Sequence, residues 1–567
     1  MKIKLTLIIL SFLLINWSLF SQVNHEWSFS IGSKESEGTG EAFADHAGNI
    51  YSILEMKDSV DIDPGPGVKL IVPEENSISL ILTKNDEDGN LVYGIPFYVY
   101  DEDSFGYLLE AAQNQIRASF GFTDSLVYEH NGTREKLFSQ PGKYNAILTF
   151  DLDGKIIDSY FFPTPEDFYF VGFHTLPDGK ILMAGTFSDT FALSAQTPWQ
   201  LHSAGDDDGF ILLADKNFNT QWAYQFKGTG ENFLESMIVL NDQRIYFTGS
   251  FYDTLSLSSL QGPITKISTN GQDGFFGYMK LTGELEKAFF IQGDDYQDTR
   301  DIAADAAGNM YVCGEFEYTV NFASSSQPPH TATAVNESDG YVAKYDNNGN
   351  LVWLGLYPSG DYGGAYLLEL KRDNELYIGG SFTLKGDINP GPDSLIVYTG
   401  WDSSPFISKL STDGEFIWSI PFITNEVAGF RALMINTETS RIVANGFYYD
   451  SIHCSEIPGE NWLGTQHGAD CFLISLSEEN VATATQENQA PIEIGVYPNP
   501  TSGQVHITAE HNIKQVSVQS FDGKLISTTN FSPSEHQELD LHDLPSGMYY
   551  ISIQSGDQWS TEKIVIQ

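Results

Sequence analysis

The sequence predicts an all-β chain: a seven-bladed β-propeller of four-stranded blades, the N-terminal strand closing the last blade, then a small C-terminal Ig-like β-sandwich. Three observations predict it. One strand-like segment recurs seven times at a near-constant spacing. Each unit carries four short apolar runs between polar turns. The last unit lacks a fourth run, and the start of the mature chain supplies one.

The spacing is read from segments such as "GKILMAGTF", "QRIYFTGSF" and "GNMYVCGEF". Ile50, Ile116, Ile181, Ile245, Met310, Leu376 and Ile442 share one position, at steps of 66, 65, 64, 65, 66 and 66 residues. Periods of this size mark stacked or circular repeats. Within a unit, a first strand ("RDIAAD") and a second ("NMYVCGEF") precede a variable stretch. A third strand opens on Asp-Gly-aromatic ("DGFILLAD", "DGFFGYMK", "DGYVAKYD"), and a polar turn leads to a fourth ("GNLVWLGL"). Alternation between Gly, Asn and Asp turns is strand-and-hairpin chemistry. The unit near 430–476 stops after its third strand, while "NHEWSFSIG" aligns Trp27 with Trp222, Trp353 and Trp418. A strand from the N-terminus therefore closes the ring, and closure removes exposed sheet edges.

Composition bounds the partners. The 567 residues are 41% hydrophobic and 13% aromatic, enough for a large core, and the formal net charge is −47. Such a charge repels nucleic acid and anionic membranes. Residues 1–21 carry Lys2 and Lys4, an apolar run and then Ser21, the pattern of a signal peptide cleaved before Gln22. No later stretch is long and apolar enough to span a bilayer, so the mature chain has no transmembrane segment. Cys454 and Cys471 stand 17 residues apart, suited either to a disulfide in an oxidising compartment or to two separate thiols.

The expected domains are a signal peptide (1–21), a propeller (22–477), a polar linker (478–491) and the sandwich (492–567). The blade wording "DIDPGPG" with "DGYVAKYDNNGNLVW" resembles bacterial SBBP repeats, which implies a seven-bladed propeller and little about activity. The C-terminal segment resembles the type IX secretion (Por secretion system) sorting domain of Bacteroidetes. The matching residues are Tyr497-Pro498-Asn499-Pro500, Gly503, Asp522-Gly523, Gly547, Tyr549 and Lys563. That resemblance implies export across both membranes by the type IX machinery, with the protein secreted or held at the outer cell surface.

The propeller carries no H-E-x-x-H, G-x-S-x-G, P-loop or C-x-x-C pattern, so the sequence favours binding over catalysis. Three features are candidates. The phrases "VDIDPGPG" and "KGDINPGPD" place Asp61, Asp63, Asp387, Asn389 and Asp393 around tight turns, 326 residues or five periods apart. Alternating oxygens suit calcium, while Pro, Gly and Asp equally suit a plain turn. Trp199, Trp401 and Trp462 lie in the stretches between second and third strands, beside acidic fourth-to-first loops (Asp101, Glu102, Asp103; Glu166, Asp167; Asp294, Asp295, Asp298; Asp361). Exposed aromatics among carboxylates suit a sugar ring, or else each Trp caps its own blade. Asp-Ser/Thr recurs after the second strand (Asp58, Asp124, Asp189, Asp253, Asp450); it resembles a Bacteroidetes O-glycosylation sequon and equally reads as a repeated turn. The expected function is a secreted or surface binding or adhesion protein for polysaccharide or a surface partner. The alternatives are a polysaccharide-degrading lyase or hydrolase, or a structural surface protein.

Overall fold

Alternating apolar residues form strands throughout; no described residue is helical. The structure, a computed structural model, describes residues 23–566 except 34–37, 75–76, 101–104, 113, 131, 194–198, 241–243, 325, 372–374, 425, 437–438, 440, 454–462, 479–493, 521–524, 543, 546 and 556–557. The signal segment, Cys454, Trp462 and nearly all of the linker lie outside the described residues. The chain divides into two units, Met1–Glu479 and Asn480–Gln567.

In the first unit, seven innermost strands stand side by side: Gly38–Ala44, Phe105–Ala112, Phe168–Thr175, Asn232–Val239, Asp301–Ala304, Gly363–Lys371 and Ala428–Ile435. Each packs on the next, and the seventh packs on the first. The ring is a seven-bladed propeller. Blade seven is built from Ala428–Ile435, Arg441–His453, Leu463–Glu478 and, as its outer strand, Val23–Ile31. The closing register runs from Val23 opposite Glu478 to Ile31 opposite Cys471.

The repeated Trp joins blades seven, three and five each to the next blade. The Trp27 indole N–H donates to the Glu87 carbonyl at 3.0 Å, Trp222 to Leu281 at 3.0 Å, and Trp353 to Thr412 at 3.1 Å. Each acceptor lies in the turn between third and fourth strands of the next blade. The ring also lies on that turn's glycine: a Cβ on Gly89, Gly283 or Gly414 would come within 2.9, 2.7 or 2.8 Å of the Trp. These glycines have positive φ as well, so both the contact and the turn demand glycine. Blade seven has no such turn, because its outer strand comes from the other end of the chain. Glu478 substitutes for it. Its carboxylate accepts from the Trp418 indole (3.0 Å), the Lys409 ammonium (2.6 Å) and the Tyr377 hydroxyl (3.0 Å).

The recurring Asp residues are mostly architectural. Asp45, Asp86, Asp151, Asp215, Asp305 and Asp346 each accept two backbone N–H groups across a hairpin turn. Asp208, Asp273 and Asp339, of the Asp-Gly-aromatic motif, are buried and bind backbone N–H groups on both oxygens. Asp124, Asp189, Asp253 and Asp450 take φ between 51° and 63°, the left-handed turn ending the second strand. Asp tolerates that conformation better than most residues, which explains the recurrence.

The two Pro-Gly phrases are equivalent hairpins. Asp61 accepts from the Asp63 and Lys69 amides, and Asp387 from the Asn389 and Leu395 amides. Ile62 and Ile388, next in each phrase, are fully buried. The variable stretches of blades two, four and five also differ from the open loops expected. They continue as strands that pair with the outer strand of the preceding blade, as Val127 does with Tyr98, Leu255 with Gly228 and Val320 with Gly293. This pairing satisfies backbone groups that a loop would leave to water.

The second unit is one five-stranded sheet around Val505, Ile507, Val516, Val518, Ile551, Ile553 and Ile564. Asn499 donates to the Lys563 carbonyl (2.6 Å) and accepts from the Val565 amide (3.0 Å), and the Thr501 amide donates to the Val565 carbonyl (2.8 Å). The Tyr-Pro-Asn-Pro segment is thereby tied to the last strand. The Tyr549 hydroxyl donates to the Pro545 carbonyl at 2.8 Å.

Glu478→Ala removes three bonds at the seam between blades six and seven and leaves Lys409, nearly buried, with Glu375 as its remaining ion-pair partner. The expected loss is about 2–4 kcal/mol, read as a lower denaturant midpoint with native strand content retained. An unchanged midpoint would show that the seam does not depend on this carboxylate.

Candidate functional site

The glycine of the repeated G-x-F motif, G-x-Y in blade seven, shapes the propeller's inner wall. A Cβ on Gly185, Gly249, Gly380 or Gly446 would fall within 2.1–2.4 Å of a carbonyl on the adjoining innermost strand. The strands therefore approach closely there, and the innermost strand bulges one residue later. The bulged residues are Val171, Glu235, Tyr366 and Arg431. In blade five, Arg300 holds the corresponding place just before the strand, its amide bonded to the Cys313 carbonyl at 2.8 Å. A bulge re-aims its side chain. In blades six and seven it sets Tyr366 and Arg431 in cavity walls, at the end where first strands begin and the second-to-third connections lie.

Four cavities open at this end. The central channel, about 530 Å³, is lined by residues from all seven blades, among them Tyr107, Phe173, Ser236, Asp301, Glu369 and Arg431. A second cavity of about 580 Å³ lies against blades one, two and seven, and a third of about 450 Å³ between blades two and three. A fourth, about 350 Å³, lies between blades six and seven. Arg431 lines the channel, the second cavity and the fourth, and Tyr107 lines the channel, the second and the third. The four cavities adjoin at these two side chains, and the row they make is the trough.

A buried polar cluster supports one wall. Arg300 touches Asp298 through Nε and stands 3.8 Å from Glu235 and 3.7 Å from Glu315. It donates to the Tyr296 hydroxyl at 2.9 Å, and that hydroxyl donates to Asp298 at 3.2 Å. The Tyr366 hydroxyl reaches Glu315 at 3.4 Å. Burial pushes the Asp298, Glu235 and Glu315 carboxyls up, Glu315 to about 8, while the guanidinium pulls the other way. Asp298 has the direct guanidinium contact and also accepts the Glu315 amide at 2.8 Å, which offsets its burial more than Glu315's is offset. Deeper in the channel, Asp301 accepts from Ser236 (2.7 Å) and the Leu368 amide (2.8 Å), joining blades four, five and six; burial pushes it up to about 6. Glu369 is open to the channel yet walled by protein, and this confinement together with Asp301 pushes it up to about 8.

The residues singled out in the sequence lie elsewhere. Trp199 (38% exposed) and Trp401 (78% exposed) sit on blades three and six, with blades four and five between them, and neither lines the trough. Trp462 is outside the described residues, as are Asp101, Glu102 and Asp103. Asp61, Asp63, Asp387 and Asn389 each have an oxygen accepting from backbone amides, and Asp393 is exposed. Among the described residues, no three His, Cys, Asp or Glu side chains gather where a metal ion could sit. The sequence marks Asp298 as part of an acidic loop, and the structure buries it. Sequence reasoning missed Arg300, Tyr366 and Arg431. The available signal was the column ten or eleven residues before each repeat anchor, which reads Val171, Glu235, Arg300, Tyr366 and Arg431.

Residues 495–567 match the secretion system C-terminal sorting domain. The chain is exported by the type IX route to the cell surface or beyond. Its C-terminal unit addresses it to the secretion machinery, and no helix among the described residues is long and apolar enough to cross a membrane. No curated protein sequence matches the chain. Among solved structures, PorZ, a surface component of the type IX secretion system of Porphyromonas gingivalis, is 11% identical, with 95% of this chain and 100% of that one covered and a TM-score of 0.13. The extracellular domain of a hybrid two-component system from B. thetaiotaomicron is 9% identical (95% and 100% covered, TM-score 0.14). A DUF4221 family member from Bacteroides vulgatus is 11% identical (81% and 99% covered, TM-score 0.27). At these TM-scores the likenesses carry no argument about this exported protein.

Two predictions follow from these geometries. From roughly pH 4 to pH 8, Glu315 stays protonated in the folded chain while an unfolded glutamate has ionised. The unfolded state binds fewer protons there, so this group's contribution to stability falls as pH rises and levels off above that window. Glu315→Gln is expected to flatten the fall in unfolding midpoint between pH 6 and 8 relative to the native chain; parallel curves would refute the assignment. In the sorting unit, Asn499→Ala frees the last strand from its clasp. The exported fraction of the protein is expected to drop, with material accumulating in the periplasm; unchanged export would refute that role.

Proposed function

We propose that the protein is a secreted or surface-displayed glycan-binding protein whose trough holds a polysaccharide chain. The observation that carries this reading is the row of adjoining cavities, which share Tyr107 and Arg431 as lining residues. Half-buried Phe105, Tyr107, Tyr144 and Tyr169 line one end of it, beside carboxylates and backbone groups. Aromatic faces stack on sugar C–H groups while polar groups take hydroxyls. An extended ligand needs such a run of adjoining subsites, which Trp199 and Trp401 on separate blades do not offer.

A glycan-cleaving hydrolase or lyase is the second reading. It is favoured by Glu315, whose proton is retained near neutral pH beside Arg300, as a general acid requires.

A glycan array probed with the purified chain, with calcium and with chelator, tests the first reading. Retention of a polysaccharide is expected, and Tyr107→Ala is expected to weaken it by about 2- to 10-fold, the usual value of one stacking contact. Absence of any retained glycan would overturn the reading. Shortening of a bound polysaccharide, lost in Glu315→Gln, would move the assignment to the enzyme.

A further inference from the structure

We propose that the cavity between blades six and seven is a subsite for an acidic sugar, in which Arg431 and Arg300 hold a carboxylate or sulfate of the bound polysaccharide. The inference rests on the glycan-binding reading and names the chemical class of its ligand.

The first observation is the state of the arginines. The chain has 76 acidic residues and 29 basic ones, so a cation readily finds a carboxylate. Five of the six described arginines have one within 4 Å: Arg117, Arg134, Arg244, Arg300 and Arg441. Arg431 is the sixth. Its side chain is exposed, and among the described residues its recorded contact is the Phe447 ring, 5.1 Å from the guanidinium carbon. An aromatic face holds a guanidinium in place without neutralising it.

The second observation is the cavity itself. Its lining contains Arg300 and Arg431 and no carboxylate. Tyr366, Ser381 and Ser403 supply hydroxyls, and Phe430 and Phe447 supply apolar faces. Arg300 is already shared among three carboxylates, so it contributes N–H donors, while Arg431 contributes uncompensated charge. A planar fork of donors beside hydroxyls and rings matches a sugar carrying an anionic group. A neutral sugar would leave the Arg431 charge partly desolvated and unmatched, which is costly.

The test is binding of the full chain, at 0.15 M salt or above, to two pairs of polymers. Polygalacturonate is compared with its fully methyl-esterified form, and dextran sulfate with dextran. Each pair shares a backbone and differs in charge. The expected result is binding of at least one anionic member well above its neutral counterpart. Arg431→Gln should weaken that binding about 10-fold or more, the scale of a charged hydrogen-bond pair, with an unchanged unfolding midpoint. Arg431→Lys keeps the charge, loses the fork and should recover only part of the affinity. Binding of polygalacturonate alone or dextran sulfate alone supports the proposal and names the group. Equal or better binding of the neutral members, or an Arg431→Gln variant that binds like the native chain, overturns it and leaves the glycan-binding reading standing. A chain that retains no glycan on the array overturns both.

Discussion

The propeller depends on one antiparallel seam, in which Val23–Ile31 pairs with Leu463–Glu478. The seam joins the earliest and latest parts of the ring, so the closed form is reached only when the whole propeller is present. Such a long-range pairing costs chain entropy before it is rewarded. Glu478 is the point where the repeat fails. Every other clasped Trp bonds a turn carbonyl of the next blade, but a blade assembled from both chain ends has no turn to offer. A carboxylate at the last residue of the strand replaces that carbonyl and also engages Lys409 and Tyr377. The pairing of Val23 with Glu478 further means that the chain enters and leaves the propeller at neighbouring positions.

Within each of four blades the second strand presses closely on the innermost one, and this shapes the wall of the trough. Glycine admits the close approach in four blades, a bulge follows it, and in blades three, six and seven the bulged side chain lines a cavity. The packing requirement and the site are thus the same feature. The scaffold sets where these side chains stand, and their identities vary from blade to blade without disturbing the apolar alternation behind them. This separation lets a strict repeat carry an irregular, ligand-facing surface.

The fold was legible because its signals are periodic. The 65-residue step, the split unit and the alignment of Trp27 with Trp222 and Trp353 all report the same ring. The sorting unit was legible from local wording around Asn499 and Gly503. The site was not legible for a physical reason: its residues are brought together by tertiary packing of different blades, and a bulge reverses the facing that alternation predicts. Exposed Trp401 drew attention because a large aromatic in a polar stretch is conspicuous. Arg431 stands inside an apolar run, "GFRALMI", where a single cation reads as an edge residue.

Net charge misleads in the same way. A charge of −47 suggests a molecule that repels anions at every point. Yet much of the aspartate is spent on architecture: Asp45, Asp86, Asp305 and Asp346 fold hairpin turns, and Asp208, Asp273 and Asp339 clamp buried backbone. These carboxylates answer to N–H groups and say nothing about the ligand. Their long-range field is screened over about 8 Å at physiological salt. A guanidinium lining a cavity within contact distance of its ligand is screened far less. The relevant charge is therefore that of the wall, which at blades six and seven carries two arginines and no carboxylate. The total charge governs solubility and slows the approach of polyanions at low salt, while the wall governs which group is held once it arrives.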